Sequence, residues 1–180
     1  MGNRTYSMEI AGLKRELPLC DINDSIDIAA FIIFGDVELT VAASGELLKK
    51  VPEFDVIITP EAKSIPLAYE MSRQSGKPYV VARKNIKLYM RNPVGVSVKS
   101  ITTKDEQKLY ISESEADKLK DRRVLIVDDV ISTGESLHAV QELVKLAGGE
   151  LAASCAVLAE GDAANRHDII FLEPLPLFSK

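Results

Sequence analysis

Three runs in the chain, residues 55–59, 79–83 and 124–127, each hold three or four consecutive apolar residues. A strand with one wet face alternates apolar and polar residues, whereas a continuous apolar run marks a strand covered on both faces. Helical spacing lies between and after these runs. Residues 62–74 follow the first and stop before Gly76 and Pro78. Residues 135–147 place Leu137, Val140, Leu143, Val144 and Leu146 on one face and stop at Gly148-Gly149. Further strands are expected at 151–158 and 168–171. Strand–helix–strand repetition of this kind folds as an α/β unit, a central parallel sheet flanked by helices. The N-terminal third is less regular. Residues 26–34 and 37–41 read as strands around a Gly35-Asp36 turn, 44–50 as a short helix, and 1–24 has no pattern that places it. At about 150 residues per domain, 180 residues fit one domain, 1–180, with its core over 51–178 and a smaller N-terminal region over 1–50.

The chain has 22 Lys and Arg against 27 Asp and Glu, a net charge of −5, so it lacks the basic footprint of a nucleic-acid binder. Its densest apolar run, 28–34, is too short to span a bilayer, and the N-terminus has no apolar signal core. The expectation is a cytoplasmic protein with no membrane partner. Cys20 and Cys155 give neither a disulfide framework nor metal-ligand spacing, and read as buried or half-buried thiols in a reducing compartment. The average charge conceals a bias. Between Glu70 and Asp105 there is no acid, while Arg73, Lys77, Arg83, Lys84, Lys87, Arg91, Lys99 and Lys104 supply +8, which leaves −13 for the rest.

Ligands of open parallel sheets bind beyond the carboxyl ends of the strands, here after Thr59, Arg83 and Val127. The third place is chemically richest. Asp128 and Asp129 end the apolar run, Ser132-Thr133-Gly134 forms a small polar turn, and Ser136 opens a helix. Carboxylates accept from sugar hydroxyls, and hydroxyls and amides at a helix N-terminus donate to a phosphate. A phosphorylated sugar satisfies both halves. Arg83 and Lys84, at the second edge, suit a polyanionic leaving group. His138 and His167 belong to no nucleophile or metal constellation.

The run 124–136, with its apolar strand, two acids, two apolar residues and Ser-Thr-Gly turn, resembles the phosphoribosyl-pyrophosphate (PRPP) motif of type I phosphoribosyltransferases. Arg83-Lys84-x-x-Lys87-Leu88 is similar to a basic stretch of the adenine phosphoribosyltransferases in the purine branch. Glu61-Ala62-Lys63-Ser64-Ile65 resembles the family's pyrophosphate loop, with Lys63 for its Arg and Ser64 for its Gly. That loop often holds a non-proline cis peptide, a rare geometry. Glu160 and Arg166 are similar to residues after the last long strand of adenine and xanthine enzymes. The resemblance covers roughly residues 55–178.

The resemblance implies the type I fold, with a mobile loop over 91–110, a small hood drawn from 13–19 and neighbours, and a closing edge in the Pro-rich tail. It implies that Asp128 and Asp129 hold the ribose hydroxyls and Mg²⁺, and that Ser132, Thr133, Gly134, Glu135 (through its amide) and Ser136 cradle the 5′-phosphate. Val130 and Ile131 border the base; Lys63, Arg83, Lys84 and Lys87 bind the pyrophosphate; Lys84 and the two aspartates serve catalysis. The implied partners are PRPP and a purine base, adenine first, with a second copy in a homodimer. Two departures stand out. Glu135 occupies a position usually small in the purine branch, and the loop lacks the adenine enzymes' Tyr…Glu-Tyr, offering only Asp105 or Glu106. Two alternatives stay open. One is a PRPP-binding regulator without turnover, although about fifty residues before the core do not fit a DNA-binding domain as well as a hood. The other is a phosphoribosyltransferase for xanthine, guanine/hypoxanthine or a pyrimidine.

Overall fold

The computed structural model describes residues 4–99 and 106–180. In chain order the elements are β1 (Thr5–Ile10), β2 (Leu13–Asp21), β3 (Ile26–Ala29), α1 (Val37–Lys50), β4 (Val56–Pro60), α2 (Ile65–Ser75), β5 (Tyr79–Ala82), β6 (Val94–Lys99), β7 (Glu106–Ile111), α3 (Glu113–Leu119), β8 (Arg123–Ile131), α4 (Glu135–Leu146), β9 (Glu150–Glu160), a 3₁₀ turn (Gly161–Asn165), β10 (Ile170–Leu175) and β11 (Leu177–Ser179).

The apolar runs make the expected parallel sheet, in the order β10-β9-β8-β4-β5. All five residues of β4 are buried. On one face α1 and α2 pack Leu39, Ala43, Leu47, Leu67 and Met71 against Ile57, Leu125 and Val127. On the other, Leu137, Val140, Leu143 and Val144 of α4 join Ile58, Ile126 and Ala156. Leu146, expected on that apolar face, is instead exposed. From β4 the chain runs through α2 to β5 on one side, and from β8 through α4 to β9 on the other. The order therefore reverses between β4 and β8, which opens a crevice at their carboxyl ends.

The N-terminal third corrects several expectations. Residues 37–41 are not a strand but the opening of α1, one 14-residue helix that also takes in 44–50. Its β-branched Val37 and Val41 lie in solvent, while Leu39, Ala43 and Leu47, four residues apart, form the buried stripe. Asp36 starts the helix by accepting the Leu39 N–H at 3.0 Å, and Arg15 of β2 grips the same carboxylate at 2.6 and 3.0 Å. The strand expected over 26–34 is confined to β3. The unplaced N-terminus is a β1–β2 hairpin whose two-residue turn, Ala11-Gly12, has φ of 52° and 77°, the type I′ geometry that follows strand twist. With β3 and the C-terminal β11 it forms an antiparallel sheet, β1-β2-β3-β11.

Three boundaries and one thiol also differ. α2 begins at Ile65, three residues later than expected, because 61–64 is a loop of its own. The strand expected at 168–171 is β10, at 170–175. Residues 91–110, expected as an irregular loop, carry the β6–β7 ribbon; Lys104 and Asp105 lie outside the described residues. Cys155 is buried but Cys20 is exposed, so only one thiol is withdrawn from solvent. Among the described residues no helix is long and apolar enough to cross a membrane.

Arg15 and the Leu39 amide hold the Asp36 carboxyl below the usual carboxylate range. The stability this supplies is present above the ordinary aspartate pKa of about 4 and is lost as pH falls through the lowered value. Asp36→Ala is expected to cost about 1–2 kcal/mol in urea melts at neutral pH. The difference from wild type should shrink once the pH falls below about 4.

Candidate functional site

A cleft of about 360 Å³ opens where β4 and β8 end. β8 runs past Val127 to Ile131, because parallel pairing with β9 continues through Asp128↔Ala156, Val130↔Leu158 and Ile131↔Ala159. The two acids are therefore strand residues, fixed by a ladder, and the polar turn follows only after Ile131. Asp129 is 4% exposed, and its N–H donates to Asp128 Oδ1 at 2.9 Å. Burial, and then the negative charge of Asp129, push the Asp128 carboxyl up to about 8. The Oδ2 atom of Asp129 is buried with no hydrogen-bond partner, while Lys63 Nζ stands 3.4 Å away as its counter-ion. Cys155 lies beneath; burial and the charge of Asp128 push its thiol up, the opposite of an activated nucleophile.

The facing wall comes from the loop after β4. A cis peptide joins Glu61 to Ala62, in the loop where the resembled family often holds one. Ser64, at the N-terminus of α2, is buried; its hydroxyl donates to the Pro60 carbonyl at 3.1 Å and accepts from Thr59 Oγ1 at 2.7 Å. Glu61 accepts the Lys84 N–H at 3.1 Å and pairs with Arg83 at 3.3 Å. The Lys84 amide, with the charges of Lys87 and Arg83, holds the Glu61 carboxyl below its ordinary value. One carboxylate thus ties the loop after β4 to the basic stretch after β5. Arg83 also exchanges backbone hydrogen bonds of 2.8 Å with Tyr110, which hangs β7 on the site and brings Leu109 to the cleft.

The structure brings Lys63, Lys84, Asp128, Asp129, Val130 and Ser136 into the lining of this one cleft. Arg83 and Lys87 sit behind them around Glu61. Ser132 and Thr133 are exposed on the turn, and Gly134 and Glu135 are half-buried there. Gly134 has φ 81°, a left-handed conformation that L side chains rarely adopt, and it caps α4. Ile131 is 2% exposed and packs into the core under α4, so Val130, not Ile131, reaches the cleft. The basic stretch is divided: Arg73 is bound to Glu70 within α2 at 2.7 Å, away from the cleft. Five lining residues lie outside the expected set: Pro60, Glu61, Ala62 and Ser64, in or beside the loop after β4, and Leu109. Glu61 carries a sequence signal, a carboxylate directly after an apolar strand; Leu109 carries none, because only the β6–β7 ribbon delivers it.

The donor set fits Mg²⁺. That ion takes one or two carboxylates and fills its shell with water and phosphate oxygens, and a buried carboxylate oxygen without a hydrogen bond waits at Asp129. Among the described residues no three His, Cys, Asp or Glu converge as an all-protein cage would require.

Comparison with known proteins bears on the family and the fold. The phosphoribosyl transferase domain matches residues 38–173. A hypoxanthine/guanine phosphoribosyltransferase of Methanococcus voltae is 38% identical over 112 residues, 62% of this chain and 56% of that protein. An adenine phosphoribosyltransferase of Thermotoga petrophila is 37% identical over 99 residues, 55% of each. The chain thus spans little more than half the length of these curated relatives. The crystal structure of adenine phosphoribosyltransferase from Thermoanaerobacter pseudethanolicus superposes with a TM-score of 0.66 at 22% identity, covering 94% of this chain and 95% of that one, a likeness of fold.

Because the folded pKa of Asp128 is raised to about 8, its contribution to stability is full below the unfolded value of about 4 and is lost as pH rises towards 8. Asp128→Asn removes that dependence. The ligand-free variant is expected to melt several degrees above wild type at pH 8. Scanning calorimetry across the range should find this gap closing towards pH 4, and a constant gap would count against the burial argument.

Proposed function

This chain belongs to the phosphoribosyl transferase family, and on that premise we propose that it transfers the 5-phosphoribosyl group of Mg²⁺-PRPP to a purine base, adenine first, releasing pyrophosphate. One observation carries the reading. The crevice between β4 and β8 sets two carboxylates on one wall and Lys63 and Lys84 on the other. A ligand with hydroxyls at its centre and phosphates at both ends matches that distribution.

Asp128 and Asp129 accept from the ribose hydroxyls. Ser132, Thr133 and Ser136, with the amides of Gly134 and Glu135, donate to the 5′-phosphate at the N-terminus of α4. Lys63, Arg83, Lys84 and Lys87 meet the pyrophosphate, Lys63 exchanging Asp129 for a phosphate oxygen when the ligand arrives. As the bond from the anomeric carbon to pyrophosphate breaks, the base nitrogen forms its bond to that carbon, and its proton passes to an oxygen of the departing pyrophosphate. Cations already fixed at the leaving group stabilise the developing charge, and no covalent nucleophile is required. Mg²⁺, held by Asp128 and Asp129, neutralises charge on the ligand's oxygens when bound. Val130 borders the base, with Ile131 as its backing. Glu135 presents its amide to the phosphate and turns its carboxylate aside. We propose the activity together with a homodimer and a cytoplasmic setting.

A second reading changes only the base. The relatives carry both adenine and hypoxanthine/guanine names, and the Methanococcus voltae protein is of the second kind. Incubation with Mg²⁺-PRPP and adenine, hypoxanthine, guanine, xanthine, uracil or orotate, with assay of pyrophosphate, separates these readings. Release with adenine is the expected result. Release with another purine alone reassigns the base, and release with a pyrimidine alone overturns the purine reading. PRPP binding without release under any base identifies a regulator that binds but does not turn over. In calorimetry, Asp128→Asn with Asp129→Asn is expected to weaken PRPP by at least about a hundredfold. Unchanged affinity would remove both residues from the site.

A further inference from the structure

We propose that Lys63 is a resident cation that bars divalent metal from the acidic wall of the free protein and yields its place only to a phosphorylated ligand, so that metal and PRPP enter together; this rests on the PRPP reading above. Lys63 Nζ stands 3.4 Å from Asp129 Oδ2, the buried oxygen that has no hydrogen bond. A Mg²⁺ ion on that oxygen would lie about 2.1 Å from it, and so no farther than about 5.5 Å from the ammonium. Charges of like sign at that spacing repel strongly where little water enters. The ion and the ammonium therefore compete for one oxygen.

The two partners differ in freedom. Asp129 lies within β8, between the ladder pairs Asp128↔Ala156 and Val130↔Leu158, and is almost wholly buried, so its carboxylate stays in place. The backbone that carries Lys63 is held as well: the Ser64 hydroxyl donates to the Pro60 carbonyl at 3.1 Å and accepts from Thr59 Oγ1 at 2.7 Å. The Lys63 side chain, by contrast, is 55% exposed, and its contact with Asp129 is an ion pair without a hydrogen bond. An ammonium on a flexible four-carbon stem can leave such a contact without moving either wall. In the free protein its other choice is Glu160, at the end of β9: burial raises that carboxyl, and the charge of Lys63 lowers it. Glu61 is already engaged by Arg83 and the Lys84 amide. A diphosphate entering beside Lys63 and Lys84 offers the ammonium new oxygens, draws it from Asp129, and leaves Oδ2 to the metal that the same ligand carries. Through Lys63 each of the two then raises the affinity of the other by the same factor.

Ultrafiltration of the full chain with Mn²⁺, which takes the same oxygen ligands as Mg²⁺, tests this with and without PRPP. Without PRPP, Lys63→Met is expected to hold Mn²⁺ about tenfold more tightly than wild type, and Lys63→Gln, a second neutral variant, should repeat the gain. Lys63→Arg, which keeps the charge, should behave as wild type. Adding Asp129→Asn to Lys63→Met should abolish the gain. Saturating PRPP should raise the Mn²⁺ affinity of wild type about tenfold more than it raises that of Lys63→Met. Equal Mn²⁺ affinity in wild type and both neutral variants without PRPP, or a gain that survives Asp129→Asn, would overturn the inference, while PRPP binding in calorimetry would leave the reading above intact. Failure of wild type to bind PRPP in the presence of Mg²⁺ would instead overturn that reading, and this inference with it.

Discussion

Val56, Ile57 and Ile58 of β4 pair in parallel with Val124, Leu125 and Ile126 of β8, and from there the chain leaves the two strands in opposite directions. Every feature of the site follows from that pairing. It sets two loops side by side at one end of the sheet and directs the N-termini of α2 and α4 towards the same space. It also buries the strands on both faces, so each residue at their carboxyl ends is held in register. A slip of one residue would exchange the sides of Asp128 and Asp129 and break the alternation that packs Leu125 and Val127 against α1 and α2.

On this frame the charges are arranged in opposed groups rather than scattered. Asp129 is answered by Lys63 across the cleft, and Glu61 gathers Arg83, Lys87 and the Lys84 amide behind the same loop. Asp128, adjacent to a second acid and withdrawn from water, is the one carboxyl of the group held well above its ordinary range. One buried carboxylate oxygen, Asp129 Oδ2, lacks a hydrogen bond, while nearby cations are drawn onto the acids. A net charge of −5 for the chain conveys none of this.

The second sheet joins the two ends of the chain. β11 pairs with β3, so the C-terminal Leu177–Ser179 closes against the N-terminal β1–β2–β3 meander, and Asp27 on β3, almost wholly buried, is held by Arg4 at 2.8 Å. Arg15 carries the order of that sheet into the core by fixing Asp36 at the start of α1.

The apolar strands, the helices between them and the acidic pair with its Ser-Thr-Gly turn were legible in the sequence. Burial on both faces and a tight polar turn each demand particular residues at fixed local spacing, and those demands are written in consecutive positions. α1 was misread at its start because Val37 and Val41 have strand-like branching. The helix is decided by a cap from Asp36, a guanidinium from another strand and a stripe of Leu39, Ala43 and Leu47 that means something only against the sheet. The β6–β7 ribbon was missed although Val94, Val96 and Val98 alternate with small or polar residues, since its pairing with β7 and its packing on the α4 side of the core join separate segments. Pairing between segments also decided that Glu61 faces Lys84 and that Lys63 lies over Asp129. By itself, the sequence determined which strand would carry the carboxylates and which polar turn would follow it, because both are short-range. Only the tertiary structure decided which distant cations face them, because those contacts are set by the order in which the strands assemble.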